Sequence, residues 1–182
     1  MGISVEDLGI GVKIITPDYF EDHRGYYSET YSRRHFRDAG ISLEFCQDNH
    51  SFTKQAGTIR GIHFQNLPQG QTKLVRCTSG RVIDYVVDLR KDSINYKKWV
   101  SVELSAGNRR QILIPVGFGH AFETLEDNCE VLYKVDSFYA PPLDRAIAWN
   151  DPDIGITWTT LNPILSEKDR LAPFLLESDV NF

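Results

Sequence analysis

The feature of this sequence that most limits its fold is short-range alternation. Apolar and polar residues exchange in runs too brief for helices, and the runs are punctuated by Gly, Pro, Asn or Asp. Val12 to Ile15 opens the series. From Lys73 to Leu89 an apolar run reaches the turn pair Ser79-Gly80; beyond it Ile83, Tyr85, Val87 and Leu89 fall on one side and Asp84 and Asp88 on the other, the pattern of a hairpin. Trp99 to Leu104 alternates again, Gln111 to Ile114 stops at Pro115, and Glu130 to Val135 follows the turn-like Glu126-Asp127-Asn128. Short strands at this spacing predict an all-β sandwich or small barrel. Helix is sparse: Ser32 to Ala39 has Ser32 as a cap, Phe36 and Ala39 at i and i+3, and Gly40 as a terminator, and a second helical turn starts at Ser166. The Pro- and Leu-rich stretch after Trp158 is expected to wrap the barrel. No repeat or linker divides the chain, so residues 1–182 read as a single domain long enough to bury a core.

Charge narrows the function. A net charge of -5 argues against a general phosphate-backbone binder, so no nucleic-acid partner is expected, whereas one small anion needs only a local basic pocket. Cys46, Cys77 and Cys129 have no CxxC spacing and suit reduced thiols. The N-terminus lacks a secretory series and no apolar run approaches the ~20 residues that span a bilayer, which predicts no membrane partner and a cytoplasmic protein. A GxGxxG fingerprint is absent, so no nicotinamide cofactor is expected.

The densest polar cluster bordering predicted strands is Arg60-Gly61-Ile62-His63-Phe64-Gln65 with Gln71-Thr72-Lys73-Leu74-Val75, which sets one titratable base beside two cations. Strand alternation turns Arg60 and Lys73 inward together if the loop between them returns the chain to the same face. By itself a strand histidine is more often a hydrogen-bonded structural residue. The other candidates are Asp22, Arg24, Gly25 and Glu29; Gln47, Asp48 and Asn49; His120; Tyr133 and Tyr139; Lys168 and Asp169. Each has a plain alternative: exposed charge for Arg24 and Glu29, a turn for Asp48-Asn49, core packing for the tyrosines, a helix cap for Asp169. A metal is not expected. No HxH or HxxxH pair occurs, Gln65 stands where a second ligand would follow His63, and Lys73 would repel a cation.

Asp22-His23-Arg24-Gly25 with Glu29, Gln47-Asp48-Asn49-His50-Ser51, Arg60 to Gln65, Lys73-Leu74-Val75, Ile114-Pro115 with Gly117-Phe118-Gly119-His120, Tyr133-Lys134, Trp149-Asn150-Asp151 and Ser166-Glu167-Lys168-Asp169 are each nonspecific. In this order and spacing they resemble the dTDP-4-dehydrorhamnose 3,5-epimerases, the RmlC-like cupins, over nearly the whole chain. The resemblance implies a double-stranded β-helix, or jelly roll, and a homodimer formed by exchanged N-terminal strands. It implies His63 as catalytic base, Asp169 as the carboxylate orienting it, Tyr133 as proton donor on the opposite face, and Lys73 as the cation beside the sugar ketone. Arg24, Arg60 and His120 resemble residues around the diphosphate and sugar, and Glu29, Gln47 and Asn49 those contacting nucleotide and sugar. Lys168 matches a ligand-contacting position, and Tyr139 the ring stacked on thymine. Arg24 and Glu29 are implied to reach the neighbouring subunit's site.

The implied chemistry suits these residue types. A ketone at C4 of a dTDP-linked 4-keto-6-deoxyhexose acidifies the protons on C3 and C5, and histidine exchanges protons near neutrality. A cation at the enolate oxygen does the work of an oxyanion donor, worth roughly 3 to 4 kcal/mol elsewhere. No hydride is lost overall, which fits the absence of a nicotinamide fingerprint. Two positions depart from the family: Asp144 stands where many relatives have Glu, and Gly119-His120-Ala121 replaces the commoner Ala-His-Gly, an exchange expected to be tolerated. The leading expectation is epimerisation at both C3 and C5. An epimerase acting on C3 only or C5 only is the nearest alternative, and a noncatalytic nucleotide-sugar binder a more distant one.

Overall fold

In the computed structural model, which describes residues 1–182, antiparallel strands numbered in chain order form two facing sheets. The first sheet has the order β1 (Ile3–Asp7), β2 (Lys13–Pro17), β10 (Gln111–Ile114), β7 (Lys73–Ser79), β12 (Cys129–Val135), β5 (Gln47–Thr53). The second has the order β13 (Asp144–Ala146), β6 (Ile59–Gln65), β11 (Phe118–Thr124), β8 (Arg81–Asp88), β9 (Trp99–Ser105). A separate two-stranded hairpin, β3 (Tyr19–Asp22) and β4 (Gly25–Ser28), stands off the body with most of its residues exposed. This is the expected jelly roll.

Three apolar clusters hold the layers. Between the sheets lie Val75, Cys77, Val82, Val86, Val102, Leu104, Ile112, Phe118, Phe122, Cys129 and Val131, the inward set of each strand. On the outer face of the first sheet, Ile15, Leu74 and Leu113 pack with Phe36 from α1 (Arg33–Asp38). The outer face of the second sheet carries Ile62, Phe64, Tyr85, Val87 and Leu89, which are covered by Ile147, Ile154, Leu175 and Val180. The segment after Trp158 therefore wraps the barrel. Glu123 fastens it: this buried carboxylate accepts hydrogen bonds from Thr159 N (2.9 Å), Thr159 Oγ1 (2.5 Å) and Thr160 N (2.7 Å).

The expected elements appear with three corrections. Lys73 to Leu89 is not a hairpin, because β7 pairs with β10 and β12 whereas β8 pairs with β9 and β11. The turn at Gly80 carries the chain from one sheet to the other; it needs glycine, having φ +73° and a position where a Cβ would lie 2.6 Å from Cys129 Sγ. Asp48-Asn49 is not a turn but part of β5. On β8 the alternation is real, yet Asp84 and Asp88 face the barrel interior beside Val82 and Val86, and both faces are buried. The α1 helix forms as expected, although the Ser32 side chain makes no capping bond. Ser166 does cap: its side chain accepts from Asp169 N at the start of α2 (Glu167–Arg170).

Candidate active site

A cavity of about 440 Å³ opens between the sheets. Its walls include Arg60, His63, Gln65, Lys73, His120, Tyr133, Tyr139, Asp144, Lys168 and Asp169, so nine of the expected residues meet there with Gln65. Arg60 and His63 share this interior for a specific reason. Three positions apart in a regular strand, they would face opposite ways. The register of β6 against β11 shifts between the pairs His120↔His63 and Phe122↔Arg60, which brings both side chains inward while Ile62 points to the outer core. Gly61 sits in the irregularity with φ +128°, its missing Cβ replaced by the backbone of β11, with Ala121 Cα and His120 O both 2.6 Å from where that Cβ would be. Gly119 likewise presses on Ile62, whose Cγ2 would lie 2.5 Å from an added Cβ.

His63 Nε2 lies 2.5 Å from Asp169 Oδ1. With that nitrogen donating to the carboxylate, Nδ1 carries the lone pair, and it makes no hydrogen bond within the chain. Asp169 comes from α2, where Ser166 Oγ donates to its Oδ2 at 2.8 Å. Burial pushes the Asp169 carboxyl up, but the hydrogen bonds from His63 and Ser166 outweigh it and hold it below the usual carboxylate range. Burial also lowers His63, against the pull of Asp169. The pair is therefore a neutral imidazole fixed by an ionised carboxylate, ready to accept a proton.

The opposite wall belongs to the first sheet. Lys73, from β7, is buried, and burial brings its ammonium down to about 8, with the negative charges of Asp144 and Asp84 opposing that fall. Its Nζ makes one long contact of 3.5 Å to His63 O. Tyr133, from β12, pairs across the ladder with Val75 and Asn49. Burial, then the charge of Asp144, raises its hydroxyl above the ordinary phenol range. At the mouth Asp144 Oδ2 takes both Lys168 Nζ at 2.6 Å and Tyr139 OH at 3.2 Å, so the shorter carboxylate organises two neighbours while lining the cavity.

The remaining expected residues are placed otherwise. Gln47 accepts from Tyr139 N at 3.1 Å and donates to Asn49 at 2.9 Å, and Asn49 lines an adjoining depression that shares Tyr133 as a wall. Arg24 lies at the tip of the β3–β4 hairpin, paired with Asp22 at 2.7 Å, and Glu29 binds His35 Nδ1 at 2.6 Å; neither lines the cavity of its own chain. His63 and His120 do meet, as direct cross-strand partners, but no group of three His, Cys, Asp or Glu side chains is close enough to hold a metal ion. Sequence reasoning passed over Asp84, which is fully buried with Oδ2 at 2.8 Å from His120 Nε2. Its signal was its parity with Val82 and Val86.

Residues 9–177 match the family model described as dTDP-4-dehydrorhamnose 3,5-epimerase. The dTDP-4-dehydrorhamnose 3,5-epimerase of Sinorhizobium fredii is 46% identical over 172 residues, covering 94% of this chain and 88% of that protein. Among solved structures, the dTDP-4-dehydrorhamnose 3,5-epimerase of Bacillus anthracis, with TDP and PPi bound, superposes with a TM-score of 0.93 at 43% identity, covering 96% of this chain and 100% of that one. The dTDP-6-deoxy-D-glucose-3,5-epimerase of Legionella pneumophila, in complex with dTDP-4-keto-L-rhamnose, gives 0.92 at 36% identity, covering 97% and 95%.

Proposed function

The chain belongs to the dTDP-4-dehydrorhamnose 3,5-epimerase family and is a carbohydrate epimerase; we propose that it inverts C3 and C5 of dTDP-4-dehydro-6-deoxy-D-glucose with His63 as base and Tyr133 as acid. The observation that carries this reading is that His63, held by Asp169 of α2, and Tyr133 stand on facing sheets of one cavity, with Lys73 between cationic and anionic neighbours beside them. His63 Nδ1 takes the proton from C3 or C5, and Asp169 stabilises the imidazolium. The C–H electrons pass into the enolate, whose oxygen is met by the Lys73 ammonium. Tyr133 returns a proton to the same carbon from the other sheet, inverting it, after which His63 and Tyr133 reset by exchange with solvent. A phenol held above its ordinary range keeps its proton until the basic carbon is formed.

Arg60 and His120 are assigned to the diphosphate and sugar, Gln47 and Asn49 to the rim, Lys168 and Asp144 to the mouth, and the exposed ring of Tyr139 to the nucleotide base. Arg24 and Glu29 support a homodimer as the active unit. They lie away from their own cavity, and the hairpin bearing Arg24 exposes Tyr19, Phe20, Tyr26 and Tyr27, a face a second copy would cover while these two residues enter its site. We assign residues 1–182 to one domain acting in the cytoplasm without metal or nicotinamide. No helix is long and apolar enough to cross a membrane.

The test is incubation with dTDP-4-keto-6-deoxyglucose in deuterated water, followed by NMR at C3 and C5. Wild type should exchange and invert both carbons, and exchange at one alone would assign the single-carbon alternative. Tyr133→Phe should exchange deuterium with retention faster than it inverts. Equal loss of exchange and inversion in that variant would sink the two-wall assignment.

A further inference from the structure

One buried ionisable group has no part in the chemistry above. Asp84 has no accessible surface; its Oδ2 holds His120 Nε2 at 2.8 Å, while its Oδ1 is buried without any hydrogen-bond partner. An unpaired carboxylate oxygen in the interior is costly unless cations compensate it. Burial leaves the Asp84 carboxyl above its ordinary range, with His120 and Lys73 pulling against it. His120 and Asp84 thus repeat the construction of His63 and Asp169. The two histidines are cross-strand partners, each turns Nε2 onto a carboxylate, and each lines the cavity with Nδ1 free of bonds within the chain.

We propose that Asp84 is a positioning residue for the sugar end of the cavity: it fixes His120 with Nε2–H turned inward and the Nδ1 lone pair toward a sugar hydroxyl, and it is the fixed negative charge against which the Lys73 ammonium is held. This rests on the assignment of Lys73 to the enolate oxygen. Around Lys73, Asp144 from β13 and Asp84 from β8 favour the ammonium and Lys168 from α2 opposes it. His63 and Arg60 on β6, His120 on β11 and Tyr133 on β12 complete the walls, with Tyr139 and Asp169 at the mouth side. Of these, Asp84 is the carboxylate that makes no bond to a lysine, arginine or hydroxyl, so its second oxygen is free to act on Lys73 through space.

The experiment is the pH dependence of deuterium exchange at C3 and C5 by the intact protein, comparing wild type with Asp84→Asn, and with Lys73→Met as reference. Lys73 must be charged to act, so wild-type exchange should fall as pH rises through about 8. Removing an opposite charge that favours a buried ammonium lowers the partner's titration, by about one unit or more where the two lie within ~4–6 Å. The alkaline limb of Asp84→Asn should therefore shift about one unit lower, whereas general loosening of the fold would reduce the rate and leave the limb in place. An unmoved limb overturns the proposal. If Lys73→Met exchanges at the wild-type rate, the Lys73 assignment fails instead. Should Asp84→Asn not fold, the ¹³Cγ shift of Asp84 in wild type decides: an ionised carboxylate at pH 7 is expected, and a protonated one overturns the proposal.

Discussion

Gly61→Ala should cost both stability and catalysis, through the backbone and not through any lost contact. The new Cβ would stand 2.5 Å from Ala121 Cβ and 2.6 Å from both Ala121 Cα and His120 O. Ordinary carbon contacts are about 3.5 to 4.0 Å, so β6 must lift from β11 by about 1 Å. The obstacle is strand backbone, which cannot swing aside as a side chain would. Overpacking of this kind costs about 1–3 kcal/mol. Holding alanine at φ +128° adds about 1–3 kcal/mol of strain. The sum, about 2–6 kcal/mol, is a large share of the ~5–15 kcal/mol that holds a typical domain. Because His63 lies two residues on, a displacement of about 1 Å also carries the proposed base off its line, a misplacement worth about 10²-fold in rate. Urea unfolding and turnover in deuterated water measure the two effects. Gly107→Ala is the control, its nearest neighbour being Ser105 Oγ at 3.8 Å, and it should stay within about 0.5 kcal/mol of wild type. If Gly61→Ala does the same and turns over normally, the register shift does not depend on the missing side chain.

Two further outcomes are expected. Lys73 titrates at about 8 in the folded chain against 10.5 unfolded, so the unfolded state binds more protons between those values; the destabilisation is fully present below pH 8, and stability rises with pH across the window by about 3 kcal/mol. The unfolding free energy of wild type minus that of Lys73→Met should climb by that order from pH 8 to 10.5, and a flat difference refutes it. Glu123→Gln replaces one acceptor oxygen by a donor beneath Thr159 and Thr160, leaving at least one buried group unpaired at about 1–3 kcal/mol. Since this anchor precedes the segment that delivers Asp169, kcat should fall more than KM rises. Unchanged unfolding and kinetics would show that the wrap is held elsewhere.

The period of the strands was legible because one buried face per strand leaves its mark as alternation. Their partners were not, since nothing local distinguishes a hairpin turn from the Gly80 crossing between sheets; only Cys129, far along the chain, makes that turn tight. The Asp48-Asn49 pair read as a turn by residue type, yet it is paired with Tyr133 and Lys134, and ladder pairing overrode propensity. In the cavity, His63, Lys73 and Tyr133 were found through their motifs. The joint inward aim of Arg60 and His63 needed the register shift, which a regular period forbids. Asp84 was hidden because an acidic residue on an alternating strand resembles a solvated face, and only closure of the barrel puts that face inside.

The two walls of the cavity are held apart by Val75, Cys77, Val82, Val86 and Val131, side chains of the inter-sheet cluster that do not line the cavity. Facing sheets sit about 10 Å apart, and close-packed interiors register a change of one methylene. With the proposed base and acid on opposite walls, the reach from one to the other is a thickness, set by this apolar band as a shim sets the gap of a bearing. How deeply a ring seats, and which of its carbons comes level with both groups, is then a matter of gauge. On the proposed roles, trading aliphatic side chains in the band should change which carbon is inverted while every group lining the cavity stays in place.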